Sequence, residues 1–277
     1  MTEHVDAFDF VRVLRDGRTI SYCQYGKPDH PTLLMFHGTP GSRIFGLDDK
    51  DVSDAGLHII TPERPGYGRS TPNLNASISG WAFDIQELAD QLGLQRFHVV
   101  GISGGGPFAL ACAAVLPDRV LSATLISSAT PIDFPGFWDG MGILNKLVFN
   151  LASRFPAALG PVCAVYAWLN NLWNRNARLS HEGQAFQQGG IGFETDLRLV
   201  SRSWGFPFES ISVPVFLWHG EEDSLASVAG AKMLANAIPT CEARFIPGKG
   251  HFLNRDATVS QQIFDRILSV PAANTET

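Results

Sequence analysis

Residues 97–114, FHVVGISGGGPFALACAA, constrain the fold of this chain more than any other stretch. Phe97, Val99 and Val100 form an apolar run with little polar relief, the pattern of a strand buried on both faces of a parallel sheet. Residues 101–106 turn abruptly. Pro107, whose missing N–H costs nothing in a first helical turn, then opens an apolar helix over 108–115. Glycine at 101 and 105 suits a turn in which strand and helix backbones approach so closely that a Cβ would collide. Ser103, at the centre of Gly-x-Ser-x-Gly, then holds its Oγ above the sheet and over a helix N-terminus, where developing negative charge is favoured. The spacing matches neither the dinucleotide-binding glycine pattern nor a P-loop, and no acidic residue stands where a ribose would need one.

Other extended runs bring further loops to the same place. Residues 8–14 and 19–25 flank Asp16-Gly17 as an edge hairpin, and buried strands are expected at 32–36, 57–61, 122–127, 213–218 and 242–246. In an open parallel sheet the C-terminal ends of the strands face one side. The loops beginning at His37, at Pro62 and at His219, and the one carrying His251, therefore gather around Ser103. Trp81, Ile85, Leu88 and Leu92 recur at helical spacing and predict a surface helix, with Asp84 and Glu87 turned away from the sheet. Further helices are expected at 228–237 and near the end, where Val259, Ile263, Ile267 and Leu268 mark a buried side.

Between 131 and 212 the alternation of strand and helix stops. Trp138, Met141, Leu144, Leu147, Phe149 and Leu151 read as helical, Pro156 and Pro161 as interruptions, and Val165, Trp168, Leu169 and Trp173 as a resumption. Gly189, Gly190 and Gly192 suggest a flexible joint before a helix around 197–202. The expected organisation is an α/β core over 1–130 and 213–277, with a helical cap at 131–212 inserted between two sheet strands. Aromatic residues of the cap left over from its own packing would line an apolar pocket above Ser103. The last residues, 271–277, read as a disordered polar tail.

With 277 residues, one large core plus an insertion fits better than two equal domains. A formal charge of -6 and the lack of any basic run argue against a nucleic-acid partner. The N-terminus lacks a signal-peptide layout and no apolar stretch is long enough to span a membrane, so a cytoplasmic location is expected. Cys23, Cys112, Cys163 and Cys241 are scattered and read as free thiols, and no metal-ligand spacing or cofactor requirement is evident.

A nucleophilic serine needs a base for its proton and an acid to fix the tautomer of that base. His251 follows the last strand and is the expected base. Asp223 follows the strand before it and is the expected acid, with Glu222 and Asp133 as rivals. His37 is expected to support neighbouring loops. Thr39 and Gly104 are the expected oxyanion donors through their backbone N–H groups, since Pro40 has none to offer.

These residues resemble the α/β-hydrolase superfamily, specifically its cap-bearing serine hydrolases. The resemblance runs along almost the whole chain. It is carried by His37-Gly38, by the run Glu63-Arg64-Pro65-Gly66-Tyr67-Gly68-Arg69-Ser70, by Gly101-x-Ser103-x-Gly105, by His219-Gly220-x-x-Asp223 and by Gly250-His251-Phe252. It implies an α/β-hydrolase fold with a helical cap and a serine esterase that acts on small, mainly apolar esters through an acyl-enzyme. Serine at 103 argues against the similar epoxide hydrolases and haloalkane dehalogenases, whose elbow carries aspartate. The loop after Gly38 differs from the His-Gly-Gly-Pro-Gly of proline iminopeptidases and from the longer glycine loop of ring-cleavage hydrolases. The alternatives are a lactonase or carbon-carbon bond hydrolase of the same fold and, in another class, a ligand receptor without turnover.

Overall fold

The computed structural model describes residues 9–45, 47, 49–173 and 180–271. Phe8, six residues of the insertion at 174–179 and the expected tail beyond Pro271 lie outside the described residues. Eight strands form one sheet: β1 (Asp9–Val13), β2 (Thr19–Gly26), β3 (Thr32–Phe36), β4 (His58–Pro62), β5 (Phe97–Ile102), β6 (Val120–Ile126), β7 (Val215–Gly220) and β8 (Cys241–Ile246). Their order is β1-β2-β4-β3-β5-β6-β7-β8. The hairpin β1-β2 and the pair β2-β4 are antiparallel, and every pair from β4 to β8 is parallel.

Every residue of β3, β4, β6 and β7 is buried, because helices cover both faces and leave no solvent side on which polar residues could alternate. α2 (Ile78–Gln91), α3 (Gly106–Val115) and α8 (Val228–Ala237) pack on one face, where Trp81, Ile85, Phe108 and Leu234 meet Phe36, Val99 and Leu217. α1 (Asp49–Asp54) and α9 (Ala257–Leu268) cover the other, with Val52, Ile263 and Ile267 among Leu33, Val100 and Trp218. Of the two roles open to Asp84 and Glu87, solvated or loop-pinning, the structure shows the second: Asp84 accepts from both terminal guanidinium nitrogens of Arg18, and Glu87 from the Arg15 N–H, pinning the β1-β2 turn.

Strand boundaries shift for local reasons. β7 pairs from Val215 rather than Val213 because Pro214 has no N–H for the ladder and contributes only its carbonyl, which accepts from Ala123. β6 ends at Ile126, before Ser127, whose φ of 48° leaves the extended region.

Between β6 and β7 lie α4 (Ile143–Arg154), α5 (Pro156–Trp173), α6 (His181–Ala185) and α7 (Ile191–Val200). Two expectations are corrected here. Pro156 opens α5 and Pro161 lies inside it rather than interrupting it. A proline in a helix interior costs about 3 kcal/mol, and α5 offsets this by burying Leu159, Cys163 and Ala167. The expected joint at Gly190 and Gly192 is instead a close contact. A Cβ on Gly190 would lie 2.4 Å from the Cys163 carbonyl, and Gly192 sits within α7, which starts at Ile191. All four cysteines are free thiols.

The glutamate of the 63–70 run is fully buried and organises the loops around it. Its carboxylate accepts from Arg43 Nη1 at 3.0 Å, from Ser21 Oγ at 2.6 Å and from the Arg69 N–H at 3.1 Å, while Ser70 Oγ donates to its carbonyl at 2.7 Å. Glycine is required at 68, where φ is 44° and a Cβ would fall onto that carboxylate.

Several histidines are buried in this core. His98 lies on β5 with Nδ1 2.8 Å from Ser122 Oγ, and burial, aided by the charge of Arg96, pushes its pKa down to about 4. Burial likewise lowers His37, His58 and His219. The unfolded chain takes up these protons first, near pH 6.5, so stability is full above that value and falls as the pH drops towards 4. His98 alone accounts for about 3 kcal/mol of that fall. Urea unfolding at pH 7.5, 6 and 5 is expected to show a decline that is shallower in His98→Gln; equal slopes in both proteins would contradict it.

Candidate active site

The elbow between β5 and α3 is held by contact. A Cβ on Gly101 would lie 2.5 Å from the Gly105 carbonyl, and one on Gly105 would lie 2.4 Å from the Phe36 carbonyl at the end of β3. Ser103 has φ of 52°, a strained value for a residue with a side chain. That geometry lifts its Oγ out of the strand-to-helix turn.

His251 reaches it from the loop after β8, with Nε2 3.0 Å from Ser103 Oγ. On its other side Nδ1 is 2.8 Å from Asp223 Oδ2. Because a carboxylate only accepts, the imidazole proton lies on Nδ1 and the Nε2 lone pair faces the serine hydroxyl. Asp223 Oδ1 accepts from the N–H groups of Leu225 (2.8 Å) and Ala226 (2.9 Å), which fixes the carboxylate from behind. Burial works against its charge, but the His251 contact, the Ala226 N–H and His219 outweigh burial and hold the carboxyl below the ordinary range. His219 sits 3.3 Å from Asp223 Oδ2 and 3.2 Å from the Ala226 carbonyl, supporting the Asp223 loop. The rivals are elsewhere: the side chains of Glu222 and Asp133 are exposed, and the Glu222 N–H donates to the Lys249 carbonyl.

The loop after β3 lies against the elbow. A Cβ on Gly104 would be 2.2 Å from Thr39 Oγ1 and 3.2 Å from the Thr39 nitrogen, so the two expected oxyanion donors are brought together. The Thr39-Pro40 peptide is cis. His37 is buried with both ring nitrogens engaged: Nε2 accepts the Arg64 N–H at 3.2 Å, and Nδ1 lies 2.8 Å from the Gly38 carbonyl. Burial and then the Arg64 charge hold its pKa well below the usual value, and it stays a neutral loop support.

One group goes unassigned in the sequence. Asp196, on α7, is buried and accepts from Arg64 Nη2 at 2.6 Å, Thr39 Oγ1 at 2.7 Å and Tyr67 Oη at 2.9 Å. The one signal for it is a carboxylate beside Leu197, on the apolar side of a helix, four residues after Gly192.

Above Ser103 opens a cavity of about 1430 Å³. Thr39, Ser103 and His251 form part of its floor, and Leu144, Val148, Val162, Tyr166, Phe193 and Leu197 of the insertion form much of its walls. Asp49, Glu182 and Arg255 lie at its polar parts. Among the described residues no helix is long and apolar enough to cross a membrane.

Residues 31–257 match the family model described as alpha/beta hydrolase fold. The chain belongs to this family. An uncharacterized hydrolase of Bacillus subtilis, YcgS, is 34% identical over 258 residues, covering 86% of this chain and 90% of its own. The human monoacylglycerol lipase ABHD6 is 24% identical over 268 residues, covering 90% and 79%. Among solved structures, the esterase RhEst1 from Rhodococcus superposes with a TM-score of 0.71 at 20% identity, over 95% of this chain and 99% of that one, and shares the fold.

The elbow contacts make a direct prediction. Gly105→Ala drives a methyl into backbone atoms of β3 that have no room to move, so it is expected to lower stability by about 2–4 kcal/mol. Thermal unfolding read by tryptophan fluorescence checks this; an unchanged midpoint would show that the elbow is looser than described.

Proposed function

We propose that the protein is a serine hydrolase that cleaves carboxylic esters through an acyl-enzyme. The observation that carries this reading is the unbroken hydrogen-bonded series Ser103–His251–Asp223 at the floor of an apolar cavity. Ser103 Oγ attacks the ester carbonyl while His251 Nε2 takes its proton, and Asp223 stabilises the imidazolium that forms. The oxygen of the tetrahedral intermediate accepts from the N–H groups of Thr39 and Gly104. His251 returns the proton to the leaving alcohol, leaving an acyl group on Ser103. Water, deprotonated by His251, then releases the acid and restores the serine.

In this reading residues 131–212 act as the cap that selects substrate. The cavity exceeds the roughly 300–1000 Å³ usual for small-ligand sites, and its walls on α4, α5 and α7 carry few charges. Esters with an extended apolar acyl chain suit it better than acetates.

Incubation with a fluorophosphonate is expected to add one label to the parent and none to Ser103→Ala, read by intact mass. Asp223→Asn should lower ester hydrolysis by up to about 10⁴-fold through loss of the tautomer, whereas Glu222→Gln should leave it near the parent's. A parent that takes no label and turns over no ester would turn the reading towards a ligand receptor.

Across p-nitrophenyl esters from acetate to dodecanoate, kcat/KM should peak at medium length, since each fitted methylene contributes about 1–3 kcal/mol. Val148→Trp, which fills part of the cavity, should move the peak to shorter chains. A flat series in both proteins, with turnover of a lactone instead, would reassign the substrate class.

A further inference from the structure

We propose that Arg64 and Asp196 are positioning residues that aim the Thr39 N–H at the carbonyl oxygen of a substrate bound over Ser103, an inference that rests on the serine-hydrolase reading above. Arg64 Nη1 donates to the His37 carbonyl at 2.6 Å, and Nη2 donates to the Gly38 carbonyl at 2.8 Å. The Gly38 carbonyl and the Thr39 N–H belong to one peptide unit. In a trans peptide these two groups point in opposite directions. A guanidinium held on the carbonyl therefore turns the N–H the other way, and on that side lies the elbow, where a Cβ on Gly104 would approach the Thr39 nitrogen to 3.2 Å. The same cation polarises the peptide and makes its N–H a stronger donor.

Asp196 fixes the guanidinium in that pose. Its carboxylate takes both Nε, at 3.1 Å, and Nη2, at 2.6 Å, while the planar head lies 4.6 Å from the centre of the Phe108 ring. It also holds Thr39 directly through Oγ1. Asp196 comes this close because α7 carries glycine one turn earlier: a Cβ on Gly192 would lie 2.7 Å from the Tyr67 ring and 2.8 Å from the Gly66 backbone. A buried ion pair alone would be weak evidence for anything but specific packing. What sets this one apart is that it grips two successive carbonyls of the loop that carries the oxyanion donor. It also makes the donor's aim depend on a helix that walls the substrate cavity.

The test compares Arg64→Lys, Asp196→Asn, Thr39→Val and Thr39→Ser with the parent. The readouts are kcat and KM on a p-nitrophenyl ester and Ki for an alkyl trifluoromethyl ketone, which binds as the Ser103 hemiketal with its oxygen in the oxyanion position. Deleting a whole oxyanion donor costs about 10²–10³ in kcat, so misaiming one in Arg64→Lys or Thr39→Val should cost about 10- to 100-fold. Ki should rise in proportion, KM should stay near the parent's, and Thr39→Ser, which keeps the hydroxyl, should retain most activity. Folded variants that keep kcat and Ki, or that change KM alone, would overturn the inference. Should Arg64→Lys or Asp196→Asn fail to fold, the pair Thr39→Val and Thr39→Ser decides, since both keep the two buried charges and Thr39→Val removes only the hydroxyl that bonds Asp196 and Arg64. A parent without fluorophosphonate label or ester turnover overturns the hydrolase reading itself, a result distinct from an active parent with indifferent variants.

Discussion

The structure depends on how closely α3 is pressed against the ends of β3 and β5. Neither Gly101 nor Gly105 has space for a Cβ, and Gly106 would place one 1.9 Å from Ser128 Oγ, in the loop just after β6. Three neighbouring strands are thus locked to the start of one helix. Their parallel arrangement sends the following loops to a single edge, and the strain at Ser103 is sustained because the surrounding packing over-determines it. Everything in the candidate site is measured from that contact.

Charge is used sparingly in this chain, and among the described residues two arginine-carboxylate clusters are largely buried. One joins Glu63, Arg43 and Asp9 and ties the hairpin to the loops after β3 and β4. The other joins Arg64, Asp196 and Tyr67 beneath the loop after β3. Taking such charges out of water is expensive unless each oxygen and nitrogen finds a partner. The density of hydrogen bonds around Glu63 and Asp196 meets that condition, and it makes the loop positions narrow. A loop held this way can aim a backbone N–H.

The insertion follows other rules. Its helices leave Leu144, Val162 and Tyr166 exposed along the cavity, while Leu159, Cys163 and Leu197 form a small core of their own. An apolar wall that is only partly consumed by its own packing leaves a cavity, and the cavity opens over Ser103 because α7 is anchored to the 63–70 loop. Shape above the serine and chemistry at the serine are therefore joined through a few contacts of α7.

The parallel strands, the elbow, the covering helices and the residues Ser103, Asp223 and His251 were legible in the chain itself. Each follows from a local pattern: apolar runs of strand length, a Gly-x-Ser-x-Gly turn, and polar residues placed just after predicted strands. Local pattern failed where proximity replaced it. Pro161 reads as a break until the burial of its helix is seen, and Gly190 and Gly192 read as a joint until Cys163 and Tyr67 are found against them. Asp196 lies 132 positions from Arg64, and no periodicity relates the two. Only the folding of the insertion back onto the core decided that pair, the cavity walls and the size of the space above the serine, because long-range packing depends on surfaces that exist only once the chain has folded.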